Sequence, residues 1–503
     1  MSDQTTTAPA SIARNIAAMA SGQLVTWTMT LAWTLVVPRL LGPAGMGLIV
    51  AAWAVTGMLA TVLGFGTRTY LVRAIVVTPD RAGELIGTGL LLRLLLAPVF
   101  MLAVAVWAHF ADYGHDGTLA LYLAGGATVF TLLAEPMQAG FQAIERMKYL
   151  AYSDVINKSV QGLLGIALAV AGFGAVGFTG CWLVMAAVVL ALDIRWLRRH
   201  IRVRWSSTAR QLAHMARESM AYWAFGVFFM LYLWIDSAML SVMTSATIVG
   251  WYGVSTKLFQ TLMVVPVLIS TAWLPRLVSV FERSAPEMQR AARAPIEIVL
   301  VVGLPIAAGI AVIAEPAIDR IYGPAYAGAV PVMVILGLCI PPMYLNIMLS
   351  QVLIAARRQF VWTWVMLGAT VVNPAINLVL IPQAQSRFDN GAIGAAVSLL
   401  LTEIVIVGAG FCLAGRGVVG LRALRRFAVS AVASVAMWGV SYAAHGVGTI
   451  PSAAAGVLAF VVVAKVLRLA TPEEVEQIRR RLARFAPRLQ ARLRRRVAPT
   501  HSG

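Results

Sequence analysis

The sequence predicts an all-α polytopic membrane protein of about fourteen transmembrane helices, two six-helix lobes related as parallel repeats plus two C-terminal helices. Three observations predict it. The 503-residue chain is 60% hydrophobic and only 12% charged, with a mean hydropathy of +0.81; a soluble chain carries about twice that charge. Apolar runs long enough to span a bilayer recur from end to end. Short motifs also recur between the two halves. VGWYGVS (249–255) echoes MGLIVAA (46–52), Arg357/Arg358 echo Arg146/Lys148, and NGAIGAA (390–396) echoes FGAVGFT (173–179). Each pair lies six spans apart, and an even offset preserves orientation across the membrane.

In chain order, residues 1–14 form a polar cytoplasmic segment. The first run, Ile16 to Val37, is too long for a signal-peptide core and lacks a convincing cleavage site, so it is a retained helix. Spans are expected at 15–37, 47–70, 86–108, 117–138, 152–172 and 177–197, which with the linker to 217 make the first lobe. Spans at 218–241, 248–272, 294–315, 329–350, 360–381 and 391–413 make the second, and 414–469 holds two more at 425–443 and 450–468. The loops after even-numbered spans are basic, for example Arg73/Arg81, Arg198/Arg199/Arg202/Arg204 and Arg422/Arg425/Arg426. The opposite loops hold only Arg39, Arg320 and Arg387. The positive-inside rule therefore places both termini in the cytoplasm, and it accounts for the net charge of +19 without nucleic acid. The tail 470–503 opens with Thr471-Pro-Glu-Glu474, a capping-box start, and continues as an arginine-rich amphipathic stretch suited to anionic lipid.

Buried charge marks the centre of the chain. Asp236 and Lys257 lie on consecutive helices joined by a turn around Thr244–Gly250, at similar depth. A charge in hydrocarbon costs several kcal/mol unless paired or facing water. The simplest arrangement is an Asp236–Lys257 pair across this hairpin, either as a structural lock or facing a cavity. Glu403 sits in the middle of its span, as a neutral, paired or proton-carrying group. Asn373 and Asn377, four residues apart around Pro374, share a helix face. Glu135 and Glu315, each followed by proline, read as helix terminators. Cys181, Cys339 and Cys412 have no metal-ligand spacing and read as small buried side chains.

Several stretches resemble a known family. PRLLGPAGMGLIVAAW (38–53) followed by GFGTRTYLVRAI (64–75) is similar to the start of bacterial polysaccharide flippases. These belong to the multidrug/oligosaccharidyl-lipid/polysaccharide exporter superfamily. IDSAMLS (235–241), VGWYGVSTKL (249–258) and LPRL (274–277) resemble its central segment, and IYGPAYAGAVPVMVILGL (321–338) and NPAINLVLIP (373–382) its second half. The resemblance covers nearly the whole chain. One position departs from it: where the family often has an acidic residue before Gly64, this chain has Leu63, which puts ion coupling there in question.

The resemblance implies a two-lobed, alternating-access transporter. Its cargo would be an undecaprenyl-diphosphate-linked glycan, moved from the cytoplasmic to the outer leaflet. Such a substrate needs cations for its diphosphate, and Arg68 and Lys257 are the candidates; for Arg68 the alternative is snorkelling to headgroups. Asn373 and Asn377 are candidates for sugar contacts or a hinge, the alternative being interhelical hydrogen bonds. Asp236 and Glu403 are candidates for ion coupling, with Asp236 also a candidate substrate contact. Partners would be the lipid-linked glycan, anionic lipid at the tail and polysaccharide assembly enzymes.

The chain has no GxxxxGK[ST] loop, HExxH or GxSxG, and no loop long enough for a soluble catalytic domain. No catalytic residue, metal or cofactor is expected. A multidrug or peptidoglycan-precursor exporter of the same superfamily is the alternative reading. A membrane glycosyltransferase or polymerase fits less well, because the outer loops are too short to hold its catalytic residues.

Overall fold

The computed structural model describes residues 8–64 and 66–470, with most side chains from Thr26 onward. All regular structure among these residues is helical. In the first half lie α1 (Ala8–Leu63), α2 (Thr67–Val77), α3 (Ala82–Ala111), α4 (Gly114–Ala143), α5 (Met147–Val170) and α6 (Gly174–Leu197). The second half comprises α7 (Ala209–Met243), α8 (Ala246–Leu262), α9 (Val264–Phe281), α10 (Ala285–Tyr322), α11 (Ala329–Leu338), α12 (Ile340–Ala355), α13 (Gln359–Phe388) and α14 (Gly391–Ala414). A closing pair, α15 (Leu421–Ala443) and α16 (Thr449–Val466), packs on itself and on α10. The basic tail lies outside the described residues.

Ten helices among the described residues are long and apolar enough to cross a membrane, or up to twelve if each of two bent pairs is one span. The expected fourteen exceed this in two places. Met147–Val170 carries Lys148, Asp154, Asn157 and Lys158 in its first half and is too polar to qualify by composition. The other is α1, continuous by hydrogen bonding but folded back on itself at Gly42 (φ 68°, ψ 173°), a conformation only glycine adopts easily. Trp33 and Trp53 would lie about 30 Å apart on a straight helix, yet their ring centroids are 5.2 Å apart. The chain therefore doubles back between them.

Helix packing echoes the sequence repeat. Helix α1 packs on α5 as α7 packs on α13, and α4 packs on α6 as α12 packs on α14. The largest apolar core lies mainly among the second-half helices, around Tyr344, Leu349, Ala395 and Ile406, and continues across to Trp33, Met46, Ile49 and Phe178 of the first half. Two smaller cores hold the first half, around Leu71, Ile86 and Phe141 and around Phe100, Val104 and Leu121.

Three local expectations change. Glu135 and Glu315 do not end helices: α4 runs through Pro136 to Ala143, and α10 runs through Pro316 to Tyr322. Within a helical bundle, neighbouring groups can satisfy the carbonyl that proline frees. Helix α13 likewise continues unbroken through Pro374 and Pro382. Cys412 is exposed, whereas Cys181 and Cys339 are buried.

Candidate functional site

The two halves meet where the repeated motifs MGLIVAA and VGWYGVS cross. A Cβ added to Gly47 would overlap the carbonyl of Ala246, four residues before Gly250. A Cβ added to Gly250 would overlap the carbonyl of Pro43, four residues before Gly47. The contact is reciprocal, as in a two-fold interface, and only glycine at both positions permits it. Gly253 continues it against Val50. Around this crossing the Tyr326 hydroxyl donates to the Pro38 carbonyl (2.7 Å), and the Tyr113 and Ser241 hydroxyls bond at 2.5 Å. Beyond α8, its continuation α9 packs on α10 and α12, away from the first half. The halves are thus sealed at the end holding the Gly42 and Gly323 turns, and toward the arginine-rich end they meet again through α7, which packs on α2 and α3 and sets Trp223 against Thr61 and Gly66.

Helix α8 turns two faces in opposite directions. Ile248, Tyr252, Ser255 and Phe259 are buried in the second half, while Gly250, Gly253 and Lys257 lie on the side facing α1. Five residues separate Tyr252 from Lys257, about 140° around a helix. This phase breaks the expected Asp236–Lys257 pair. Asp236 instead accepts from the Tyr252 hydroxyl (3.0 Å) and the Asn377 amide (2.7 Å). The Lys257 amine sits 5.8 Å from the centre of the Trp33 ring, a cation–π distance. Lys158 of α5 is paired with Asp154 one turn earlier (3.1 Å).

Behind α8 the second half holds a polar network. The Asn377 amide also donates to Asn373 Oδ1 (3.0 Å), and the Ser398 hydroxyl donates to the Asn373 carbonyl (3.1 Å). One turn before Asp236 on α7, Tyr232 donates to Glu403 (2.7 Å), which also accepts from Asn346 (2.9 Å). Asn373, Asn377 and Glu403 are 0% exposed and Asp236 is 4% exposed, so both carboxylates lie in the protein interior with only neutral partners. Among the described residues, Asn377 Oδ1 has no hydrogen-bond partner. A carboxylate charge there is costly unless a cation joins it.

The first half carries a different constellation. Between α1 and α2 the chain breaks at Gly64–Gly66; Gly66 is left-handed (φ 61°) and lies against the Trp223 backbone. The break frees backbone carbonyls that side chains then bind. Arg93 donates to the Leu63 carbonyl (3.3 Å), Thr67 Oγ1 (2.6 Å) and Glu135 (2.5 Å), and the Trp223 indole donates to the Thr61 carbonyl (3.0 Å). Arg68, two residues past the break, is exposed. It borders a cavity of about 310 Å³ with Gln138, Ser153, Asp154 and Asn157, and a second of about 300 Å³ with Arg93, Glu135 and Trp223. Asp193, wholly buried beneath the first, accepts from Ser153 (2.6 Å) and Gln138 (3.2 Å). Arg93 is buried and bonds Leu63, Thr67 and Glu135 through its two terminal nitrogens, so Arg93→Met is expected to leave half-buried Glu135 uncompensated and cost about 1.5–3 kcal/mol. Arg93→Lys keeps the charge but not the fork and should recover only part of it, read as the thermal midpoint of the purified protein.

Sequence reasoning missed Arg93, Asp193, Gln138 and the two tyrosines. Asp193 and Arg93 each interrupt an apolar run, which was the available signal. Asp193 stands two residues from Arg195 near a helix end, and there it reads as interfacial. The tyrosines give no signal, because tyrosine is common in membrane helices.

Fold and site together define a multi-pass helical membrane protein built from two related halves around a sealed crossing. The model for the family described as polysaccharide biosynthesis protein matches residues 36–331, and this chain belongs to that family. Among solved structures, "Lipid II flippase MurJ, inward closed conformation" is similar at TM-score 0.72 and 12% identity, covering 90% of this chain and 98% of its own. An inward-facing multidrug resistance MATE family transporter of the MOP superfamily matches at TM-score 0.59 and 16% identity, over 77% of this chain and 93% of its own. A MOP superfamily transporter from Pyrococcus furiosus matches at TM-score 0.51 and 16% identity, over 80% and 94%. These likenesses show the fold. A search of curated protein sequences found no match.

Proposed function

We propose that the protein is a flippase. It carries an undecaprenyl-diphosphate-linked oligosaccharide or polysaccharide repeat unit from the inner to the outer leaflet of the bacterial plasma membrane by alternating access. The observation that supports this reading most is the meeting of cations from both halves at their junction. Lys257 of α8 lies against Trp33 of α1, and Arg68 of α2 borders a cavity that Trp223 and Val227 of α7 also line. Cations presented toward the junction from both halves suit an anion between them, and a diphosphate supplies one. Residues 15–217 and 218–413 act as the two moving lobes. Asp236 and Glu403 are the ion-coupling groups, with the orphaned Asn377 Oδ1 beside Asp236 as a further ligand for a cation.

Orientation follows from the arginine-rich loops, which lie on the cytoplasmic side with both termini. The sealed glycine end is then outermost. In a cysteine-free background, single cysteines at 114 and 386, both exposed at this end, are expected to react with an impermeant thiol reagent in intact cells, whereas Asn390 is buried. Protection of both would reverse the orientation. Depletion of the protein is expected to accumulate a lipid-linked glycan in the inner leaflet, identified by mass spectrometry. Accumulation of a peptidoglycan precursor instead would favour the other exporter reading, and no accumulation of any carrier-linked lipid would refute a flippase.

A further inference from the structure

Between α3, α4 and α6 lies a groove that shares no lining residue with the two cavities bordered by Arg68. It has a volume of about 490 Å³ and is walled by Leu90 and Leu94 of α3, Leu133 and Met137 of α4, and Leu190 and Ile194 of α6. That volume is within the range of a pocket for one chain-like or drug-sized ligand. Its rim is formed by Arg198, Arg202 and Trp205 on the segment that follows α6. All three rim residues are exposed, and neither arginine makes an ion pair among the described residues. The rim is held firmly. The Arg204 amide donates to the Gly83 carbonyl (3.0 Å). A Cβ at Gly83 or Gly87 would overlap the carbonyls of Arg202 or Arg204, so the segment lies flat on α3 at two glycines.

We infer that this groove binds an anionic glycerophospholipid of the bilayer leaflet at the arginine-rich end. One acyl chain lies along the leucines and the phosphate lies between Arg198 and Arg202. The charge is complementary: two unpaired guanidinium groups at the mouth of an apolar slot match a phosphodiester above a hydrocarbon chain. Trp205 at the rim suits the headgroup boundary. Location favours a bilayer lipid over the transported carrier lipid, because α6, which forms one wall, packs on α4 and α5 of its own half. The bound lipid also tethers the linker to α7. It braces α4 and α6, which carry Gln138 at the polar cavity and Asp193 bonded beneath it.

The test is native mass spectrometry of the full-length purified protein, titrated with phosphatidylglycerol, phosphatidylcholine or undecaprenyl phosphate. Wild type is expected to retain phosphatidylglycerol over phosphatidylcholine by about tenfold, near 1.4 kcal/mol. Arg198→Gln with Arg202→Gln removes the preference. Arg199→Gln with Arg210→Gln removes equal charge outside the groove and leaves the preference intact. Filling the slot with Leu190→Trp should lower phosphatidylglycerol retention in either arginine background that still binds it. Equal loss in both arginine pairs would overturn the site in favour of general surface attraction. Displacement of phosphatidylglycerol by equimolar undecaprenyl phosphate would overturn the assigned occupant. Neither outcome bears on whether the protein flips a glycan.

Discussion

Gly250→Leu is expected to abolish transport while leaving each half folded. Even a single added Cβ at Gly250 would overlap the Pro43 backbone carbonyl; a backbone atom cannot rotate away as a side chain can. Overpacking of this kind costs about 1–3 kcal/mol in soluble cores. Here the strain has an outlet, because the buried contacts that run from Met46 and Ile49 to Ile248 and Val249 join two separate halves. Ile248 and Tyr252 face the opposite way and keep their contacts. The halves should therefore separate at the glycine end. The measurement is the labelling rate, by a water-soluble thiol reagent, of a single cysteine replacing half-buried Val50. A shift of 1.4 kcal/mol toward the open form raises the rate about tenfold. Gly47→Leu should act alike, because the contact is reciprocal. Unchanged labelling in both variants would show that the crossing does not seal this end.

Asp236 should show the second large effect, and its partners make the pattern specific. Asp236→Ala strands the Tyr252 hydroxyl and the Asn377 amide, each at a cost of about 1–3 kcal/mol when buried. The thermal midpoint of the purified protein should fall sharply. Asp236→Asn keeps the shape and can still accept from Tyr252, so it should fold and yet lose gradient-driven transport. Double-mutant cycles discriminate the neighbours. Asp236→Asn with Tyr252→Phe should be non-additive. Asp236→Asn with Lys257→Met should be additive within about 0.5 kcal/mol, as for groups that share no partner. Strong coupling between Asp236 and Lys257 would restore the hairpin pair that the structure replaces with Tyr252 and Asn377.

Much of the fold was legible in the sequence, because bilayer physics makes apolar length a strong signal and glycine-rich turns a clear break. The repeat was legible too: Gly47 and Gly250 stand at matching positions of two similar motifs, and the structure brings those motifs into contact. Side-chain pairing was not. Asp236 and Lys257 share depth, but depth is set by distance along a helix and partnership by angle around it. The faces of α8 become evident only once its neighbours are known. Glu135-Pro136 misled for a related reason: proline ends helices in water, whereas a packed bundle carries α4 straight through. Arg93 was invisible because its role depends on a carbonyl freed by a break between α1 and α2, a feature of the backbone rather than of any residue type.

The central claim is that this protein moves a lipid-linked glycan between leaflets, using cations from both halves. The most direct measurement reconstitutes the purified protein in liposomes carrying an undecaprenyl-diphosphate-linked oligosaccharide, and follows the loss of its glycan to an impermeant glycosidase outside. With an ion gradient imposed, wild type is expected to move the inner-leaflet pool outward, while folded Lys257→Met and Asp236→Asn variants leave it protected. An inner pool that stays protected with the wild-type protein, under every gradient tried and with the substrate lipid verified, would contradict the account.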